Sequence, residues 1–103
     1  KYRSKFYVLD LVANKGSIMI NIDIYTSPYC GFCHRAKTLL NEKKQSYNEI
    51  DIIVNPDQFN KMVVRSGGKT SVPQIFIGKT HVGGCDDLYA LEENNKLNGI
   101  LEK

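Results

Sequence analysis

Ile20, Ile22 and Ile24 alternate with Asn21, Asp23 and Tyr25, and this period of two predicts a first β-strand. Ser27-Pro28 breaks it. Phe32, Ala36, Leu39 and Leu40 then fall at i, i+4, i+7 and i+8, the apolar stripe of an amphipathic helix. Ile50 and Ile52 mark a second strand. Asn55-Pro56-Asp57 opens a second helix, with Pro56 suited to its first position; Phe59, Met62 and Val63 form its inward face, and Gly67-Gly68 ends it. Pro73 precedes the apolar run Gln74-Ile75-Phe76-Ile77, and Gly78-Lys79 reads as a two-residue type II′ turn into Thr80-His81-Val82. Gly83-Gly84 leads into a third helix with Leu88 and Leu91 inward. Leu97, Ile100 and Leu101 mark a short last helix. The order β-α-β-α-β-β-α predicts an α/β domain in which a βαβ unit makes a parallel pair and a hairpin adds antiparallel strands.

Residues 1–18 stand apart from this pattern. Phe6 to Val12 has strand-like composition, Asn14-Lys15-Gly16-Ser17 reads as a break, and Met19 follows. Either 1–18 is a dispensable, tag-like extension before a domain over 19–103, or it supplies an ordinary extra edge strand. The 103 residues suit one domain, with function at one site rather than between domains. A hydrophobic share of 42% and a charged share of 24% are ordinary for a globular chain. The net charge of +3 is spread along the sequence, which argues against a nucleic-acid partner. Lys1, Arg3, Lys5 and Asp10 interrupt the N-terminus, so no secretory signal is expected, and no apolar run reaches the ~20 residues of a membrane helix. Three cysteines, an odd and low count, do not make a secreted disulfide framework. Cytoplasmic thiols are more often catalytic or metal-binding, and a cytoplasmic location is expected.

Cys30-Gly31-Phe32-Cys33 lies where the first strand passes into the first helix. The thiolate, not the thiol, attacks a disulfide. A helix N-terminus offers unpaired N–H groups and the positive end of the helix dipole, both of which stabilise a negative sulfur. Cys30 is therefore expected to be the nucleophile. Cys33, one step into the helix, is expected to be more buried and to resolve a mixed disulfide on Cys30. His34, Arg35 and Lys37 are close in sequence and add positive charge. A zinc half-site is the competing reading, but only Cys85, His34 and His81 remain to complete four ligands, so no metal is expected. Both histidines are expected at the surface. The Cys85 side chain is expected to be a small buried residue at a helix start.

These residues resemble the glutaredoxins, particularly the short bacterial dithiol type. The resemblance runs from about Met19 to the C-terminus on four stretches: Ile24-Tyr25-Thr26, Cys33 to Lys37, Ser71-Val72-Pro73-Gln74-Ile75-Phe76-Ile77, and Gly83-Gly84-Cys85-Asp86-Asp87-Leu88. It implies a thioredoxin-like fold, a four-stranded mixed sheet flanked by helices. It also implies an enzyme that uses glutathione to reduce protein disulfides and glutathionylated thiols, acting as a monomer without nucleic-acid or membrane partners. Pro73 would be a cis-proline facing the cysteines, and the Val72 backbone would pair with the cysteine of glutathione. Gly84, Cys85 and Asp86 would hold the γ-glutamyl carboxylate and amine, Lys69 the glycine carboxylate, and Phe32 and Ser71 would complete the site.

The sequence departs from the family at several of these places. C-G-F-C replaces the usual C-P-Y-C, which frees the loop at Gly31 and removes the hydroxyl at Phe32. Ser71 stands for a threonine, and Ser27 stands where a lysine commonly helps bind glutathione. Gly31-Phe32 also resembles the C-G-F-S motif of monothiol glutaredoxins, so a glutathione-ligated [2Fe–2S] cluster between two subunits is the alternative. A thioredoxin-type partner independent of glutathione ranks third.

Overall fold

The computed structural model describes residues 20–102. The expected strand over 6–12, the break over 14–17 and the question of the 1–18 extension lie outside the described residues. Strands β1 (Ile22–Thr26), β2 (Asn48–Asp51), β3 (Gln74–Ile77) and β4 (Thr80–Gly83) form one sheet in the order β2-β1-β3-β4. β1 runs parallel to β2 and antiparallel to β3, and β3 runs antiparallel to β4. Helices α1 (Gly31–Glu42), α2 (Asp57–Arg65), α3 (Cys85–Glu93) and α4 (Leu97–Leu101) flank it. This is the expected mixed sheet, with the βαβ pair and the hairpin where the hydrophobic pattern put them.

The sheet has two covered faces. Ile22 and Ile24 of β1 and Ile75 and Ile77 of β3 pack with Ala36, Leu39 and Leu40 of α1, Leu88 of α3, and Leu97 and Leu101 of α4. Alternate residues Tyr25 and Phe76 face the other way and pack with Met62 of α2. The alternation in β1 reads as one polar and one apolar face, yet Tyr25 is only 1% exposed. Arg65 of α2 makes this possible. Its guanidinium donates to Asp23 Oδ2 at 3.0 Å and to the Tyr25 hydroxyl at 2.8 Å, and it lies 4.1 Å over the Phe76 ring. Burial alone would raise the Asp23 carboxyl. Hydrogen bonds from Asn48, Arg65 and Asn21 outweigh that and hold it below its usual range. Arg65→Ala is expected to lower stability by about 2 kcal/mol, read by urea unfolding, because a phenol, a half-buried carboxylate and a ring face all lose their partner.

Local sequence signals explain the element ends. α1, α2 and α3 all stop in the same way. The residue after each C-cap (Lys44, Gly67 or Asn95) has φ near +60 to +73°. The amide beyond it reaches back to close the last turn, as in Gln45 to Leu40 O at 3.0 Å, Gly68 to Val63 O at 2.8 Å and Lys96 to Leu91 O at 2.8 Å. Pro56 sits one residue before α2 rather than in its first turn; with φ −60° and ψ −28° it is already helical in shape. Gly78 has φ +60°, as the first central residue of a type II′ turn requires.

Candidate active site

β1 is extended through Thr26, and Cys30 is still extended (φ −109°, ψ 107°) when the chain enters α1. Cys30 is thus the N-cap, the position where a side-chain acceptor meets the free amides of the first turn. Its Sγ accepts the Cys33 N–H at 3.1 Å. On its other side the Cys30 thiol donates to the Val72 carbonyl at 3.6 Å. Both contacts hold the sulfur in place at the helix end, half-open to solvent.

Cys33 is 1% exposed. It lies three residues before Ala36 and seven before Leu40, so it takes the place in the apolar stripe that the sequence pattern gives to Phe32. Phe32 instead is 56% exposed, because the helix starts at Gly31 and its first turn projects past the core. The Cys33 thiol is pushed up to about 12, first by burial, then by its hydrogen bond with Cys30 and the charge there; the Ser27 backbone offsets part of this. The two thiols therefore have different tasks open to them. One is accessible and anchored at the helix end. The other stays protonated and sealed.

A groove of about 450 Å³ opens beside Cys30. That volume is in the range of small-ligand sites. Phe32, Lys69, Ser71, Val72, Pro73, Gly84, Cys85 and Asp86, all singled out from the sequence, line it together. The Val72-Pro73 bond is cis, as the resemblance implied. Lys69 and Asp86 are both exposed at the groove, a cation and an anion on one surface. The Cys85 side chain is buried in the core, and burial raises its thiol, so only its backbone faces the groove start of α3. The first-turn amides of α3 have no acceptor within the helix. One neighbouring amide is taken: Gly84 N–H donates to Asp87 Oδ2 at 2.9 Å. Gly83, at φ +113°, precedes it; a Cβ there would strike the Asp87 carboxylate. Among the described residues, no three His, Cys, Asp or Glu side chains gather to hold a metal ion, and no helix is long and apolar enough to cross a membrane.

Gln74, His81, Val82 and Asp87 also line the groove and were not among the expected site residues. Two of them carry a sequence signal. Gln74 is the one polar residue in an otherwise apolar strand directly after Pro73. Asp87 is three residues past Gly84, the spacing of a side chain that reaches back to cap a helix. His81 is exposed, as expected, and so is His34, yet the His81 ring is held on one side by the groove. Its Nε2 is 2.7 Å from Gln74 Oε1, and its ring stacks on Phe76 at 4.7 Å.

Similarity to known proteins agrees with this geometry. The family model Glutaredoxin matches residues 22–82. Glutaredoxin 3 of Escherichia coli (strain K12) is 49% identical over 84 residues, which cover 82% of this chain and 100% of that protein. The solution structure of glutaredoxin from Brucella melitensis superposes with a TM-score of 0.73 at 50% identity, over 86% of this chain and 95% of the other. Buckwheat glutaredoxin, solved as a complex with glutathione, superposes with a TM-score of 0.68 at 28% identity, over 80% of this chain and 76% of the other.

Proposed function

The chain belongs to the glutaredoxin family of thiol–disulfide oxidoreductases, and on that premise we propose the role of each residue in its glutathione-dependent chemistry. The Cys30 thiolate attacks the disulfide of a glutathionylated protein. The protein leaves as a thiolate and takes a proton from water, and glutathione stays on Cys30 as a mixed disulfide. A second glutathione thiolate attacks that glutathione sulfur, which releases oxidised glutathione and restores the Cys30 thiolate. With a protein disulfide, the mixed disulfide carries the protein instead. Cys33 then attacks the Cys30 sulfur, the protein thiol leaves, and the Cys30–Cys33 disulfide is reduced by two glutathiones in turn. The observation that carries this reading is the asymmetry of the pair. The Cys30 sulfur is half-exposed, touches the groove-lining Val72 at its carbonyl and accepts an amide at 3.1 Å, while Cys33 is 1% exposed.

Glutathione lies in the groove in this reading. Its cysteine pairs with the Val72 backbone beside Pro73. Its γ-glutamyl carboxylate takes the amides of Cys85 and Asp86 at the start of α3, where Gly84 leaves room, and its ammonium pairs with the Asp86 carboxylate. Lys69 attracts the glycine carboxylate, and Phe32 and Ser71 complete the walls. The opposite charges of Lys69 and Asp86 on one groove support a zwitterionic ligand, and a relative at 28% identity is seen with glutathione. The test is a glutathione-coupled assay on a glutathionylated peptide, where each peptide thiol released should yield one oxidised glutathione. Reduction only by thioredoxin reductase, with none by glutathione, would reject the reading. Asp86→Ala is expected to raise KM for the glutathionylated peptide roughly five- to tenfold with kcat little changed, since the ammonium loses a charged partner at the rim.

The [2Fe–2S] alternative fits these residues less well. Gly31 leaves open space for a bulky group at Cys30, as a Cβ there would meet nothing within 4 Å. Yet Cys33 stands directly behind Cys30, where it competes for the same sulfur. A colourless protein after anaerobic reconstitution with iron and sulfide is the expected result. We further propose that the protein acts as a monomer. We propose as well a reducing cytoplasmic setting, in keeping with an odd, low cysteine count that suits catalytic rather than structural thiols.

A further inference from the structure

We propose that His81 is a positioning residue for glutathione: acting through Gln74, it aims the Val72 amide at the bound tripeptide. The assignment rests on the reading of the Val72 backbone as a glutathione contact.

Gln74 is 3% exposed, the one polar side chain in β3. A buried amide must find partners at both ends or lose stability. Its Nε2 donates to the Ser71 carbonyl at 3.1 Å and lies 3.4 Å from Ser71 Oγ. A carbonyl can only accept, so this end of the amide is the donor end. Gln74 Oε1 is then the acceptor facing His81 Nε2 at 2.7 Å. His81 must therefore carry its proton on Nε2, whether neutral or charged. The imidazole is itself held. It pairs across the strands with Phe76 and stacks on that ring, 23° from parallel, and Arg65 covers Phe76 as well. A chain of contacts thus runs from the back of the sheet through His81 and Gln74 to Ser71.

The Ser71 carbonyl and the Val72 N–H are the two ends of one trans peptide plane, so they point in opposite directions. Anchoring the carbonyl on Gln74 fixes where the N–H points. The Val72 carbonyl, one peptide further on, touches the Cys30 thiol at 3.6 Å. A mis-set Ser71-Val72 plane therefore weakens the backbone pairing with substrate without removing any group that takes part in the chemistry. The effect belongs in KM rather than kcat.

The experiment compares wild type, His81→Phe and His81→Gln with a glutathionylated peptide. Phenylalanine keeps a ring to stack on Phe76 and loses the donor. Glutamine places a donor nitrogen about where Nε2 stands. The expected result for His81→Phe is a KM roughly three- to tenfold higher, as for one lost hydrogen bond, with kcat within about twofold; the unfolding midpoint falls too, because buried Gln74 Oε1 loses its donor, but the protein stays folded at the assay temperature. His81→Gln is expected to return KM most of the way to wild type. A wild-type KM in His81→Phe, or equal impairment in both variants, overturns the assignment. If His81→Phe does not fold, Gln74→Glu takes its place: a carboxylate still accepts from His81 but cannot donate to Ser71, so KM should rise and a wild-type KM overturns it. If wild type itself fails to turn over the peptide, the glutathione reading fails first and this assignment with it, an outcome distinct from a selective null in the variants.

Discussion

Cys30→Ser should lose turnover of both glutathionylated peptide and protein disulfide, by at least about a thousandfold, down to the rate of glutathione alone. The reason is chemical rather than structural. A serine hydroxyl does not attack a disulfide at neutral pH, and no disulfide can form on it. The fold has no cause to suffer, because serine is among the best N-cap residues and its Oγ can accept the Cys33 amide that the sulfur accepts now. Cys33 cannot take over: it is 1% exposed, and its thiol is held protonated by burial and by its hydrogen bond with Cys30. Cys85 cannot either, since its side chain is in the core and burial raises its thiol. The measurement is a coupled assay alongside a thermal melt. An unchanged melt with turnover gone is the expected pair of results. Activity within tenfold of wild type would move the nucleophile elsewhere and undo the mechanism.

The parts of the site that the sequence discloses are those fixed by local chain direction. A strand, a break and a helix start place Cys30 at an N-cap whatever surrounds it, and the glycine pair before Cys85 opens α3 in the same way. The hydrophobic pattern was also enough for the parallel βαβ pair and the antiparallel hairpin, while the placing of β1 between β2 and β3 comes from the structure alone. What the pattern obscures is rotation and register. Phe32 and Cys33 are neighbours about 100° apart on the helix, and only the end of the core decides which of them is buried. Tyr25 sits on the nominally polar side of β1, and nothing in its own strand tells that Arg65, forty residues later, will reach its hydroxyl. The Gln74–His81 contact depends on which residues of β3 and β4 lie diagonally across the hairpin, at a point where the pairing shifts by one residue between Ile75 and Phe76. A single sequence does not specify that shift.

Cys33→Ser should separate the two reactions of the enzyme. In a single turnover with a disulfide-bonded peptide and no glutathione, wild type releases two thiols. The first comes from attack by Cys30 and the second from attack by Cys33. The variant should release the first at an ordinary rate and then stop, with the peptide held on Cys30. Release of the second should slow by at least about a thousandfold, because an intramolecular attack has no intermolecular substitute in the tube. Deglutathionylation should survive, as a second glutathione can resolve that mixed disulfide. The raised Cys33 thiol adds a dependence on pH with a definite sign. Only its thiolate resolves, and at neutral pH a group pushed up to about 12 is almost wholly protonated. Two of the causes of that shift, the hydrogen bond with Cys30 and the charge on it, vanish once Cys30 is in a mixed disulfide, while burial persists. Cys33 is thereby kept silent until its partner has reacted, and it becomes easier to ionise at that moment. Release of the second thiol should consequently climb between about pH 7 and pH 9 in wild type. A second release that is flat across that range would mean that Cys33 is already ionised in the intermediate, and that burial contributes less to its protonation than the lost Cys30 contacts did.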